Sequence, residues 1–256
     1  MPIRITALIE NTASKEGVIP QHGLSLYIEA AGRHILFDMG QDDLFLRNAQ
    51  ALGVDVRRVD AAVLSHGHYD HGGGLSFFLQ ANTDALVYVS RYAFEEHRNK
   101  EGKDIGLSPA LSGCERLTFT DEVYEIGAGL ALYSCNGRVR RHPTDDGGMT
   151  ACGQAEDFRH EQYLLIEAEG KRVLVSGCSH KGILNLAEWF RPDVLVGGFH
   201  LSKWPCDEKL TAVARQLAAF DTTYITCHCT GVEQYEWMRS SLPCLTYLAT
   251  GDTIDI

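Results

Sequence analysis

Residues 65–71, Ser-His-Gly-His-Tyr-Asp-His, constrain this chain more than any other feature, because four metal-binding side chains fall within six positions. His66 and His68 are two residues apart, so an extended or tightly turned backbone can direct both imidazoles at one ion. Asp70 and His71 follow the turn and can reach a second ion. Imidazole and carboxylate ligands with positions left for water are typical of catalytic zinc, iron or manganese sites. The segment therefore predicts a catalytic metal site rather than a histidine-rich surface loop.

Three further histidines follow a common pattern, in which an apolar strand is followed by small residues and then an imidazole. They are His180, His200 and His228. Ligands collect outside strand ends, where the backbone is fixed and side chains reach a shared cleft. Two catalytic ions need about six protein ligands, so we predict that His180 and His228 complete the set. For His200, ligation and a contact with substrate remain open alternatives, and His160 is a candidate ligand or a structural histidine.

The remaining histidines and most cysteines are interpreted as structural. These histidines are His22, His34, His97 and His142, although His22 lies in a turn that could border the cleft. Cys227 and Cys229 flank His228, but a Cys-x-Cys pair alone is a weak zinc signal. We expect most of the eight cysteines to be small buried hydrophobes.

Strand-like and helical patterns alternate almost throughout, with no linker between the two halves. Helices are predicted at 44–52, 73–80, 183–190, 207–220 and 232–240, and apolar strands between them. This pattern favours an α/β (or α+β) chain, with one domain over residues 1–256 and helices outside packed sheets. Residues 91–122 give no decisive pattern, and 136–160 read as a long functional or mobile loop.

Composition narrows the range of partners. The chain has 45% hydrophobic and 22% charged residues, and no window has the roughly 18 consecutive apolar residues that a membrane span needs. The first residues lack a hydrophobic signal core, so we expect a cytoplasmic protein with reduced cysteines. The formal net charge of -11 argues against nonspecific binding to nucleic acid. We expect a small-molecule partner, without nucleic acid or membrane, and the oligomeric state stays open.

These motifs together resemble the metallo-β-lactamase superfamily. Residues 66–71 carry its H-x-H-x-D-H motif, Gly177-Cys178 resembles a later motif in which Asp or Cys follows glycine, and His228 matches the last ligand motif. The strings HGLSLYIE, LFDMGQ, LSHGHYDHGGGL, SGCSHKGILN, GGFHL and HCTG are similar to one branch. That branch includes synthases of a ribofuranosyl-aminobenzene phosphate dihydropterin.

The resemblance implies a single-domain αββα sandwich with a metal site at one edge. Cys178 stands where a bridging Asp is commoner, and His180 is a candidate ligand in its place. His160 is the candidate for the family's mid-sequence histidine motif. We expect two divalent cations, zinc foremost, with iron or manganese as alternatives.

The two cations would take different ligands. The first would be held by His66 and His68, with His180 or His160 as the third ligand. The second would be held by Asp70, His71 and His228, with Cys178 nearby. Asp70 would also orient an attacking water, and His200 could protonate a leaving group.

An anionic substrate group is expected near the basic run 138–141. Arg140, together with Lys181 and Lys203 beside two strand-end histidines, could bind a phosphate or carboxylate. The alternative is a solvated basic turn. The leading hypothesis is a metal-dependent hydrolase of a small anionic ester, phosphoester or lactone. The alternatives are a metal-assisted dihydropterin–aminobenzene ribotide synthase and a non-catalytic metal-binding or sensing module.

Overall fold

Two seven-stranded β-sheets lie face to face, and helices cover the outer face of each sheet. We describe them from a computed structural model, which covers residues 2–144 and 147–256. The strands are β1 (Arg4–Ile9), β2 (Ser25–Ala30), β3 (Arg33–Phe37), β4 (Ala61–Val63), β5 (Leu86–Ser90), β6 (His97–Arg98), β7 (Leu117–Thr120), β8 (Val123–Gly127), β9 (Leu130–Tyr133), β10 (Thr150–Ala151), β11 (Gln154–Ala155), β12 (Tyr163–Ala168), β13 (Lys171–Val175), β14 (Val194–Gly197), β15 (Thr223–Thr226), β16 (Leu245–Tyr247) and β17 (Thr253–Asp255). The helices are α1 (Leu44–Ala51), α2 (Tyr69–Gly72), α3 (Leu75–Ala81), α4 (Ile183–Phe190), α5 (Glu208–Leu217) and α6 (Val232–Met238).

Each sheet contains a block of parallel strands. The first sheet has the order β17-β1-β2-β3-β4-β5-β7, and the second has the order β16-β15-β14-β13-β12-β9-β8. β3, β4, β5 and β7 run parallel to one another, as do β13, β14, β15 and β16. Parallel neighbours need crossover connections, and in both sheets these connections contain the helices.

Alternate residues of the central strands enter different cores. In β12, Leu164 and Ile166 pack between the two sheets, whereas Leu165 faces the helices of the second sheet. A third core lies between the first sheet and its helices, and it includes Phe45 of α1 and Phe78 of α3. Because both faces of these strands are buried, the strands read as nearly continuous apolar runs.

The predicted αββα sandwich, in one domain, is confirmed. The helix predicted at 183–190 has those bounds, and the one predicted at 73–80 corresponds to α3, whereas the short α2 before it was not predicted. The segment 91–122 contains β6 and β7, and the predicted loop 136–160 contains the two-residue strands β10 and β11. β6 pairs with β10, and β7 pairs with β5, across long sequence separations, so local patterns gave no signal for these pairings.

None of the helices in the described part of the chain has the length and apolar character that crossing a membrane requires.

Candidate metal centre

The functional side chains lie where parallel strands of both sheets end. Asp38 follows β3, residues 65–71 follow β4, Cys178 and His180 follow β13, His200 follows β14, and His228 follows β15. Parallel strands in one sheet end at the same edge, so their following loops lie side by side. The sandwich brings the edges of its two sheets together, and the histidines from both halves converge there.

Three imidazoles form the first candidate cation position. The ring centroids of His66, His68 and His180 lie 4.6 to 5.1 Å apart, and one ring nitrogen of each lies within 4.8 Å of the others. All three residues are buried. Their Nε2 atoms, and Nδ1 of His180, have no hydrogen-bond partner among the described residues. Such an orphaned atom costs about 1–3 kcal/mol, so the set fits a site that a cation completes.

A buried hydrogen-bond chain fixes the tautomer of His66. The Ser65 hydroxyl donates to Asp38 Oδ2 at 2.7 Å, so its lone pair accepts from His66 Nδ1 at 2.8 Å. His66 therefore carries its ring proton on Nδ1 and presents the lone pair of Nε2 to the centre. Gly177 is needed beside this chain, because a Cβ there would lie 2.2 Å from Ser65 Oγ.

Asp70, His71 and His228 form the second candidate position. Nε2 of His71 lies 3.1 Å from Nε2 of His228, and Asp70 Oδ2 lies 3.8 Å and 3.4 Å from those two atoms. All three residues are buried. Two imidazole nitrogens and a carboxylate oxygen thus face one point. This is the donor chemistry of a catalytic divalent cation.

The tautomers of both histidines direct Nε2 at that point. His71 Nδ1 donates to Asp38 Oδ2 at 2.7 Å, and His228 Nδ1 donates to Asn11 Oδ1 at 3.0 Å. In the neutral rings both Nε2 atoms therefore carry lone pairs, and these would repel each other at 3.1 Å without a proton or a cation between them. Ligand histidines commonly donate their second nitrogen to a carboxylate or carbonyl oxygen in this way.

The electrostatics of the two positions differ. Burial lowers the pKa of His66 and His180 well below the usual value, and that of His68 to about 3, so these rings are neutral. Burial alone would lower the pKa of His71 too, but Asp38 and Asp70 raise it to about 9. For Asp70, burial would raise the pKa, yet the charge of His71 and a hydrogen bond from His22 hold it well below the usual value.

Cys178 lies between the two positions. Its sulfur is 3.2 Å from His71 Nε2, and it groups with His66 and His71 within 4.8 Å. The residue is 3% exposed, and burial raises the pKa of its thiol. The sequence left the role of Cys178 open, and the structure puts its sulfur within reach of the ligands of both positions.

His160 lies beside the first position with a different tautomer. Its Nδ1 accepts a hydrogen bond from the Gly67 amide at 2.8 Å, so the ring proton is on Nε2, which lies 3.7 Å from Glu156 Oε1. A protonated nitrogen cannot coordinate a cation, so the geometry favours His180 over His160 as the third ligand. Glu156 also accepts from His97 Nδ1 at 2.7 Å. These residues hold the backbone between His66 and His68.

A cavity of about 300 Å³ opens onto the centre. Its lining includes His22, His68, Asp70, Cys178, His180, His200, Lys203, Trp204 and His228. His200 Nδ1 is buried and has no partner in the described residues. Burial would lower the pKa of His200, but a hydrogen bond with Cys229 and the charge of Glu161 raise it. The site thus places an imidazole with a raised pKa beside an enclosed space.

Two of the predicted substrate-binding residues, Lys181 and Arg140, lie outside the cavity lining. Lys181 is fully buried, and its Nζ donates to the carbonyl oxygens of Ser134 and Glu161 at 2.7 and 2.9 Å. It is a structural cation that does not line the cavity. Arg140 donates to the carbonyl oxygen of Asp157 and also lies outside the lining. Lys203 does line the cavity, and no acidic partner of it is found in the described ranges.

Sequence reasoning missed several residues that orient the ligands. Glu10 accepts from the His228 amide at 2.7 Å, and Asn11 binds the ring of the same histidine. Asp38 directs His71, and His22 Nε2 lies 3.2 Å from Asp70 Oδ2. One signal was available for Glu10 and Asp38: each is a carboxylate directly after an apolar strand, as the histidines are.

Comparison with known proteins gives consistent matches. Residues 18–149 match the family model described as the Metallo-beta-lactamase superfamily. The uncharacterized protein MJ0448 of Methanocaldococcus jannaschii is 30% identical over 241 residues, which cover 89% of this chain and 90% of that protein. The 7,8-dihydropterin-6-methyl-4-(beta-D-ribofuranosyl)-aminobenzene-5'-phosphate synthase of the same organism is 25% identical over 270 residues, covering 90% and 88%.

Among solved structures, the crystal structure of Tm1679, a metal-dependent hydrolase of the beta-lactamase superfamily, has a TM-score of 0.84 and 27% sequence identity. The match covers 99% of both chains.

Proposed function

Because this chain belongs to the metallo-β-lactamase superfamily, we propose that it is a metal-dependent hydrolase that uses two divalent cations to cleave a small anionic ester, phosphoester or lactone. The observation that carries the proposal is the convergence, beside a cavity, of buried imidazole nitrogens from both halves of the chain that have no partner among the described residues. A purely structural zinc site would use a closed set of ligands and would not need the cavity.

The ligands divide into the two positions described above. His66, His68 and His180 would hold one cation, and Asp70, His71 and His228 the other, with Cys178 between them. Zinc suits imidazole, carboxylate and thiol donors, and iron and manganese are the alternatives. When bound, the cations supply Lewis acidity and lower the pKa of a water molecule towards neutrality.

The residues of the chain supply the remaining steps. Asp70 is held ionised, so it can orient the attacking water by accepting its hydrogen bond. His200 lies across the cavity, and its raised pKa suits a group that donates a proton to the leaving group. Lys203 provides positive charge at the cavity wall and attracts an anionic substrate.

A second candidate is a synthase-type condensation, as in the relative named for that activity. A second cavity of about 70 Å³, lined by Ile183, Leu184 and Phe199 among others, adjoins the first and shares His180, His200 and Trp204 with it. Two adjoining cavities suit a reaction between two substrates. A dihydropterin diphosphate incubated with an aminobenzene ribotide would give a joined product and pyrophosphate if this is the reaction.

Metal quantification on freshly purified protein, paired with a panel of phosphodiesters, lactones and thioesters, tests the proposal. We expect about two cations per chain and chelator-sensitive turnover of one substrate class. Full metal occupancy with no turnover on the panel or on the pterin substrates would instead support a metal-binding or sensing module. Protein that binds no cation would contradict both enzymatic candidates.

A further inference from the structure

We infer that Cys229 is an additional ligand of the second cation position, which makes that position selective for thiophilic divalent cations. The inference rests on the proposed function in one respect, namely that Asp70, His71 and His228 hold a cation. It concerns a residue that the ligand set above leaves unused.

Cys229 is oriented towards the centre from the turn that also carries His228. Its sulfur, the sulfur of Cys178 and a ring nitrogen of His228 all lie within 4.8 Å of one another. Cys229 is 6% exposed and lines the wall of the cavity. Together with Cys178 it gives the second position two sulfur donors beside the ring nitrogen of His228.

The surroundings of the sulfur are those of a metal-bound thiolate. The backbone amide of His200 donates to Cys229 Sγ at 3.2 Å. Amide hydrogen bonds to ligand sulfur are a usual feature of thiolate metal sites, because they stabilise the negative charge.

Space for the sulfur is provided by a glycine. A Cβ at Gly198 would lie 2.4 Å from Cys229 Sγ and 2.9 Å from the Gly177 carbonyl oxygen. Any side chain at position 198 would therefore displace the sulfur or the backbone beside it. The loop after β14 is shaped around Cys229, in the same way that Gly177 leaves room for Ser65.

The alternative is a buried neutral thiol. Cys229 Sγ lies 3.6 Å from the carbonyl oxygen of Cys178, and a thiol could donate a weak hydrogen bond there. That contact provides an acceptor for the thiol proton of Cys229. It does not explain why Cys178 and His228 place their donor atoms beside the same sulfur. Thiolate ligands select zinc and other soft ions over magnesium, calcium and manganese.

Zinc-edge X-ray absorption of the zinc-loaded full chain tests the inference, because zinc–sulfur contacts near 2.3 Å are resolved from zinc–nitrogen contacts near 2.1 Å. The wild type, C178S and C229S are compared, with C152S, a change at an exposed cysteine, as the matched control. We expect C229S to lose one zinc–sulfur contact per chain and C152S to lose none. In C178S a sulfur contribution should remain, which Cys229 supplies.

A C178S spectrum without sulfur would overturn the inference, even if C229S failed to fold. An unchanged sulfur count in C229S would overturn it too. In both cases the zinc content of the wild type would still support the proposed function. A wild type that binds no zinc, iron or manganese would instead contradict the proposed function itself.

Discussion

The first and second cation positions lie side by side but are built from different chemistry. The first consists of three neutral imidazoles from His66, His68 and His180, whose pKa values are lowered by burial. The second includes the ionised Asp70 and a His71 whose pKa is raised to about 9 by two carboxylates. In the metal-free protein the first position is uncharged, whereas the second contains both a carboxylate and a proton.

This difference indicates how each position would bind its cation. Neutral imidazoles bind without releasing protons, so affinity there depends on geometry and on the orphaned nitrogens. At the second position the proton on His71 accounts for the 3.1 Å contact between Nε2 of His71 and Nε2 of His228. A cation that binds there must displace the proton of His71. The negative charge of Asp70 stabilises the cation that takes the place of the proton.

The largest expected effect comes from removing the carboxylate that distinguishes the second position. We expect D70A to lower kcat/KM by roughly 10³-fold, because it removes a ligand and the group that orients water. Metal analysis should show loss of one cation with the other retained. D121A, at an exposed carboxylate, is the control. Full metal content and full activity in D70A would refute the assignment.

Asp38 accepts hydrogen bonds that orient histidines of both positions. Two substitutions can therefore separate the hydrogen bonds that orient each set of ligands. In D38N, His71 loses its carboxylate acceptor and the chain through Ser65 to His66 is disturbed, so we expect both affinities to fall roughly 10–100-fold. In S65A only His66 loses its acceptor, so the loss should be confined to the first position. Chelator competition on each variant gives both affinities. A larger loss at the second position in S65A would contradict this division.

The pH dependence of cation binding should also differ between the positions. Below pH 9 the unprotonated fraction of His71 falls by about tenfold per pH unit, so the apparent affinity of the second position should rise tenfold per unit from pH 6 to 8. The first position should be flat over that range, because its imidazoles are already neutral. Calorimetry in buffers of different ionisation enthalpy would detect release of about one proton with the second cation only. Equal slopes at the two positions would be the contrary result.

The smallest expected effect concerns the electrostatic attraction of the substrate to the cavity, which both positions border. K203A should raise KM for an anionic substrate about two- to fivefold, and added salt should reduce that difference. K209A changes an exposed lysine on α5 that is absent from the cavity lining and serves as the control. Salt-independent kinetics in the wild type would argue against a role for Lys203.

The fold and the position of the centre could be predicted because both depend on strand ends. Apolar runs marked the buried strands, and histidines that follow them pack against the first cluster in the structure, His180 on His66 and His228 on His71. Their ligation of cations stays a prediction. The choice between His180 and His160 could not be made from sequence, because it depends on a hydrogen bond from Gly67 that fixes one tautomer.

The structure places Lys181 away from the cavity for a physical reason. A lysine beside a ligand histidine was expected to face the substrate, but Lys181 points into the protein, where its Nζ donates to the carbonyl oxygens of Ser134 and Glu161. No periodicity in the sequence distinguishes a buried, satisfied lysine from one that faces a cavity. For Glu10 the sequence offered its place after an apolar strand but not its partner, since Glu10 lies more than two hundred residues from the amide that donates to it.

The contact between Glu10 and the His228 turn has a consequence for biosynthesis. A ribosome releases Glu10 and residues 66–71 first, then His180, and His228 after both. The first cage can therefore close on an ion before His228 is synthesised, but the second must wait for the turn that carries His228. Maturation of the holoprotein would thus proceed in a fixed sequence, with the imidazole-only cage filled first.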